Sequence, residues 1–151
     1  MISAEKEFIR VFRETQPKFS RFYACLLGQE GLTLSQYAVL SELAAAGKPL
    51  AMTALSKKLH ITKPAVTNLA DKLEEHCFAA RRPHPSDRRV QLLEIKAPGL
   101  KAVKRTQNAV LKVLLDSFSK LNAAGQGVLT CFYSDISASM DAVLKGAEKC
   151  L

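Results

Sequence analysis

The stretch Thr62-Lys63-Pro64-Ala65-Val66-Thr67-Asn68-Leu69-Ala70-Asp71-Lys72-Leu73-Glu74-Glu75-His76 reads as one amphipathic helix with its start signal attached. Thr62 is an N-cap residue, and Pro64 falls in the first turn, where a missing N–H costs nothing. Val66, Leu69, Ala70 and Leu73 recur at three and four and define an inward face. Lys63, Pro64, Thr67, Asn68, Asp71 and Lys72 are left on the opposite face. A shorter helical run, Met52 to Leu59, precedes it across His60-Ile61, so the two form a helix-turn-helix candidate. Beyond Cys77 the period changes. Phe78 to Arg82 and Arg89 to Ile95 can pair as strands around Pro83-His84-Pro85-Ser86-Asp87-Arg88, whose two prolines forbid helix. A hairpin directly after a helix-turn-helix is a wing.

Working outward, Thr33 can cap a helix from Leu34 to Ala46 that Gly47-Lys48-Pro49 stops. Residues 3 to 29 hold two apolar sets at helical spacing, Phe8, Val11 and Phe12, then Phe19, Phe22, Tyr23, Leu26 and Leu27. Pro17 lies between them and is expected to kink this helix or to start a second one. On the other side, Pro98-Gly99 opens a helical segment to about Leu121, and Asn122 can cap a last helix that continues to about Lys149. The apolar stripes of these terminal helices are wider than a lobe this small can cover, which predicts pairing with a second subunit. The expected organisation is therefore mainly α: an N-terminal helical region over 1–31, a winged helix-turn-helix lobe with a small β-hairpin wing over 32–97, and C-terminal helices over 98–151, the two helical ends serving dimerisation.

Composition agrees with a self-sufficient domain. The chain has 151 residues, 48% of them hydrophobic, enough to fill a core without metal or disulfide staples. No apolar run approaches the roughly 18 residues that would span a bilayer, and Met1 to Lys6 has no secretory pattern. A cytoplasmic protein without membrane contact is expected. The net charge of +8 is uneven along the chain: residues 1–50 contribute +1, residues 51–99, with nine basic and five acidic groups, +4, and residues 100–151 +3. A polyanion would be met first in the middle stretch.

Leu32-Thr33-Leu34-Ser35-Gln36-Tyr37, Leu55-Ser56-Lys57-Lys58-Leu59, Thr62 to Leu73 and Pro85-Ser86-Asp87-Arg88-Arg89 together resemble the MarR family of transcriptional regulators. Element order matches from about residue 5 to 149. The most specific parts are Val66 to Glu74 and the D-x-R run Asp87-Arg88-Arg89. The resemblance implies a homodimer with interlocked terminal helices whose two winged lobes bind a pseudopalindromic operator in double-stranded DNA, most often as a repressor. Cys77 stands where the family usually has Gly, which would let the turn into the wing take another shape.

On that reading Thr62 and Thr67 can bond phosphates or bases, Asn68 can bond adenine at two points, and Lys63 and Lys72 attract phosphates, with Pro64 beside them. Arg89 is the expected minor-groove residue, with Arg88 and His84 at its side. Asp87 would hold the tip in shape by accepting hydrogen bonds from a neighbouring Arg or from loop amides. Arg81, Arg82, Arg88 and Arg89 set four positive charges against Asp87 inside nine residues, a crowding that a phosphate backbone would relieve. Phe19, Arg21, Phe22, Tyr23 and Tyr37 lie where relatives hold aromatic or phenolic effectors, although apolar residues at helical spacing are more often plain core.

Other chemistries are weakly represented. Cys25, Cys77, Cys131 and Cys150 are scattered, and buried, inert thiols are their default. His60, His76 and His84 have no partners at metal-ligand spacing. No phosphate loop, nucleophile elbow or carboxylate pair occurs, so neither an enzyme nor a cofactor is expected. Two alternatives to an effector-controlled regulator stay open: a thiol-based redox regulator on the same scaffold, with Cys77 at the wing root its most interesting residue, and a winged-helix adaptor that binds other proteins.

Overall fold

Helix punctuation sets the architecture of the computed structural model, which describes residues 3–147. The elements are α1 (Ala4–Gln29), α2 (Leu34–Ala46), β1 (Leu50–Ala51), α3 (Met52–Leu59), α4 (Lys63–Glu75), β2 (Ala79–Pro83), β3 (Gln91–Ile95), α5 (Ala97–Phe118) and α6 (Ala123–Ala147). Thr33 caps α2 through a reciprocal box: its Oγ1 accepts from the Gln36 amide at 3.3 Å, and Gln36 Oε1 accepts from the Thr33 amide at 2.8 Å. Gly47, left-handed at φ 62°, ends that helix. Thr62 caps α4 by accepting from the Ala65 amide, and Asn122 Oδ1 accepts from the Gly125 amide at 2.8 Å at the start of α6.

The sheet is antiparallel in the order β1-β3-β2. Ala79 pairs with Ile95 and Pro83 with Gln91 across the hairpin, while Leu50 faces Leu93. β1 is absent from the sequence reading because two residues are too few to display an alternation. The second strand begins at Gln91 rather than Arg89, since residues 84–90 are taken up by the loop. Of the two expectations for Pro17, the start of a second helix is not met: α1 runs through it as one helix. The missing N–H leaves Arg13's carbonyl without its intrahelical donor, on a stretch exposed to solvent.

The chain divides into two units after Val110, inside α5. In the first unit Leu27, Leu32, Val39, Leu40, Leu43, Leu55, Val66, Ala70, Leu73, Ala79, Leu93, Ala102 and Val103 form one core. The inward face read for α4 is therefore inward, with Leu69 only partly covered. Both helical ends contribute to the core of the first unit. Leu27 of α1 and Ala102, Val103, Thr106 and Val110 of α5 are buried residues of the first unit. Arg105 also binds Glu30 with both carboxylate oxygens engaged, at 2.7 and 2.6 Å. That pair holds Arg105 above its ordinary pKa through the hydrogen bond and charge of Glu30.

In the second unit, α6 has no fully buried side chain among its described residues. Leu114, Leu115, Val128, Tyr133, Met140 and Val143 are exposed, as are Phe8, Val11 and Phe12 on α1 in the first unit. No helix among the described residues is long and apolar enough to cross a membrane.

Cys77 takes the left-handed conformation that favours glycine, at φ 58°. An L-residue in that region costs roughly 1–2 kcal/mol. Since the Cys77 side chain is exposed, Cys77→Gly removes strain and no packing, and should raise stability by about 1 kcal/mol after the extra unfolded-state entropy of glycine. Urea denaturation of the two proteins checks this, and an unchanged or lower midpoint contradicts the assigned backbone.

Candidate nucleic-acid interface

The cap at Thr62 and the burial of Val66, Ala70 and Leu73 fix which way α4 faces. Lys63, Pro64, Thr67, Asn68, Asp71 and Lys72 are all exposed on its outer side. Thr62 spends its oxygen lone pair on the Ala65 amide, 3.3 Å away, and its hydroxyl hydrogen is still available to a phosphate. Thr67 donates to the Lys63 carbonyl at 3.1 Å, so its hydroxyl presents acceptor lone pairs and a methyl group rather than a free proton.

The wing tip is built from short-range hydrogen bonds. The His84 amide donates to the Val90 carbonyl at 2.9 Å, and the Val90 amide to the Asp87 carbonyl at 3.0 Å. Asp87 Oδ1 accepts from the Arg89 amide at 3.0 Å, an Asx-type turn that holds Arg88 and Arg89 at the apex. His84 is half-buried, and its Nδ1 accepts from the Ser86 amide at 3.3 Å. Among the described residues neither Arg88 nor Arg89 is ion-paired, and both are exposed.

The crowding expected of four arginines is resolved differently. Arg82 Nε pairs with Glu94 of the neighbouring strand at 2.5 Å. Arg81 pairs with Glu74 and, at 2.6 Å, with Asp71, both on α4. Two of the four cations are thus paired within the chain, because strand pairing and the helix-to-strand turn bring up carboxylates that lie seven to twelve residues away in sequence. Burial works against the charge on Arg81, and the hydrogen bonds and charges of Asp71 and Glu74 outweigh it, so its pKa stands above the ordinary value. Sequence reasoning did not single out Arg81 as a bridge; the acid at position 74 is a signal only once the strand is known to return along α4.

A separate groove of about 380 Å³ lies between α1 and the start of α2. Phe19 and Tyr23 line it with Gln16, Leu27, Leu32 and Leu34. Tyr37 lies behind, its ring 6.3 Å from that of Tyr23. Phe22 is partly buried and Arg21 is exposed, and neither lines the groove, so the five residues grouped from sequence split into two lining residues and three outside. Burial, reinforced by Tyr37, pushes the Tyr23 phenol above its usual pKa.

Cys25, Cys77 and Cys131 are exposed, which corrects the expectation that they are buried: each falls on an outward helix position or, for Cys77, on a left-handed turn. Cys150 lies outside the described residues. No group of three or more His, Cys, Asp or Glu side chains that could hold a metal occurs among the described residues.

A sequence profile described as MarR family matches residues 30–90, the segment from α2 to the wing. A relative from Thauera aromatica, whose name ties it to transcriptional regulation of the hcr operon, is 28% identical over 111 residues, 74% of this chain and 66% of its own length. A mutant of S. aureus MepR bound to an oligodeoxyribonucleotide superposes with a TM-score of 0.68 at 21% identity, covering 88% of this chain and 97% of that one. The PcaV transcriptional regulator of Streptomyces coelicolor, in complex with its natural ligand, gives 0.63 at 22% identity over 88% and 91% of the two chains. At these identities the structural likenesses establish the winged helix-turn-helix fold.

Proposed function

We propose that this chain, whose residues 30–90 match the MarR-family profile, is a sequence-specific regulator of that kind that binds a pseudopalindromic operator in double-stranded DNA as a homodimer, as a repressor in the cytoplasm. The observation that carries this reading is the pairing, in one unit, of an outward α4 face bearing Lys63, Thr67, Asn68 and Lys72 with a wing apex bearing the unpaired Arg88 and Arg89. Such a lobe reads a major groove with the helix and reaches an adjacent minor groove with the wing. Thr62, Pro64 and His84 flank these contacts, and Asp87 shapes the apex.

The exposed apolar faces support the homodimer. In the second unit an open apolar groove of about 990 Å³ is lined by Leu114, Leu115, Phe118, Leu129 and Tyr133. Contiguous apolar surface of this kind is normally covered by a partner. For the effector, the groove at Phe19 and Tyr23 is the site we assign to a small aromatic or phenolic molecule, with Arg21, Phe22 and Tyr37 close by in the chain or in space. A bound effector would act by changing the spacing of the two lobes, which must stand about one helical turn apart to engage both half-sites.

Fluorescence anisotropy tests the central claim. The purified protein is titrated with duplexes from the region upstream of its own gene and with shuffled controls, at several salt concentrations, which separates phosphate attraction from sequence reading. The expected result is one native duplex bound about a thousandfold more tightly than its shuffled control. Equal, steeply salt-dependent binding to every duplex would replace the regulator with the protein-binding adaptor.

A further inference from the structure

Arg81 occupies an unusual position for an arginine in a DNA-reading lobe, because its charge is turned toward the protein. Its side chain is 25% exposed, whereas those of Asp71 and Glu74 are 54% and 31% exposed. Nη1 is bonded to Glu74 Oε2, and Nη2 reaches both Asp71 Oδ1 at 2.6 Å and the main-chain carbonyl of Thr67 at 3.2 Å. The Arg81 amide also donates to Glu74 Oε1 at 2.7 Å. Residues 67, 71 and 74 are spaced by four and then three, so these acceptors form one stripe along α4. A single planar guanidinium therefore touches the helix at three successive points, and through its backbone it is a member of β2, paired in register with the buried Leu93 of β3.

Two consequences follow for recognition. The first is electrostatic: Asp71 lies on the outward face beside Asn68 and Lys72, and a free carboxylate there would repel phosphate, so its pairing with Arg81 removes a local penalty. The second is geometric. Sliding or rotating α4 relative to the hairpin would break the contacts at residues 67, 71 and 74 together, because a rigid fork cannot follow them. A lysine keeps the charge but is a single point donor and could hold only part of that set.

We propose that Arg81 is a positioning residue that sets the pose of the wing relative to the reading helix, so that α4 and the Arg88-Arg89 apex engage their two grooves simultaneously. This inference rests on the DNA-reading function proposed above and names a determinant of its specificity that makes no DNA contact of its own.

The test is a double-mutant cycle read by anisotropy on the preferred native duplex and its shuffled control, with circular dichroism and sedimentation establishing that each variant is folded and in the parent's oligomeric state. Arg81→Lys is expected to lower affinity for the native duplex about tenfold while leaving binding to the shuffled duplex within about twofold, as lost register rather than lost charge demands. In that background Arg89→Ala should cost much less than it costs in the parent, because the apex is already disengaged; coupled residues behave non-additively. Glu74→Gln, which removes one anchor at a position away from the reading face, supplies a second variant should Arg81→Lys fail to fold, and should show the same reduced cost of Arg89→Ala. A full, additive loss on Arg89→Ala in the folded variants, or an unchanged ratio of native to shuffled binding, overturns the positioning role while leaving the DNA-reading function standing. A parent protein that prefers no duplex overturns both.

Discussion

Gly99→Ala is expected to destabilise the protein by about 3 kcal/mol, in the range of overpacked core substitutions, and to lower its melting temperature by roughly 10 °C at fixed protein concentration. Gly99 sits in the first turn of α5, and a Cβ built there would stand 2.3 Å from the Phe78 carbonyl oxygen, with Ile95 Cγ1 and Leu40 Cδ2 each at 3.2 Å. The two side chains could give way by a few tenths of an ångström. The carbonyl has less freedom, because it accepts the Lys96 amide at 2.9 Å and closes the root of the wing against α5. Relieving the clash must therefore shift α5 or break that bond. Gly127→Ala is the matched control, since nothing lies within 4 Å of its Cβ position in α6. There alanine should be neutral or stabilising by about 0.5–1 kcal/mol through helix propensity. If the two variants melt alike, α5 does not pass the wing root as closely as described.

Lys63→Ala combined with Arg89→Ala is expected to weaken binding to the preferred duplex by a hundredfold or more, from separable causes. Arg89 is held at the wing apex by the Asp87 turn and has no internal ion pair among the described residues. An arginine reading a narrow minor groove is worth about 1–3 kcal/mol, roughly ten- to a hundredfold. On the proposed reading Lys63, at the start of α4, contacts phosphate, so its loss should weaken native and shuffled duplexes alike and reduce the salt slope by about one per site. In a dimer each substitution acts twice. Sedimentation of the double variant should give the parent's oligomeric state, because both residues are exposed and outside the core. Binding at parental affinity by both single variants would place the reading surface elsewhere on the molecule.

The elements legible in the linear chain share a property: each announces itself within one or two turns. The α2 box of Thr33 and Gln36, the Thr62 cap, the period-three-and-four burial of α4, and the prolines around Ser86 are all local interactions. β1 escaped because its two residues become a strand only by pairing with Leu92 and Leu93, some forty residues later. Pro17 starts no second helix because an exposed helix absorbs a single lost hydrogen bond.

The candidate interface divides the same way. Composition and helical phase alone determined that residues 63–72 present a polar, cationic face and that an arginine-rich hairpin follows it, since side-chain direction in a helix depends only on spacing. Which arginines are left unpaired was decided by the tertiary structure. Strand pairing carries Arg82 to Glu94, and the return of β2 along α4 carries Arg81 to Asp71 and Glu74, contacts set by distance in space and not by distance in sequence. Only after those pairings are made do Arg88 and Arg89 stand apart as the exposed, unpaired cations of the wing, and only the packing of α5 against Phe78 explains why position 99 has room for no side chain.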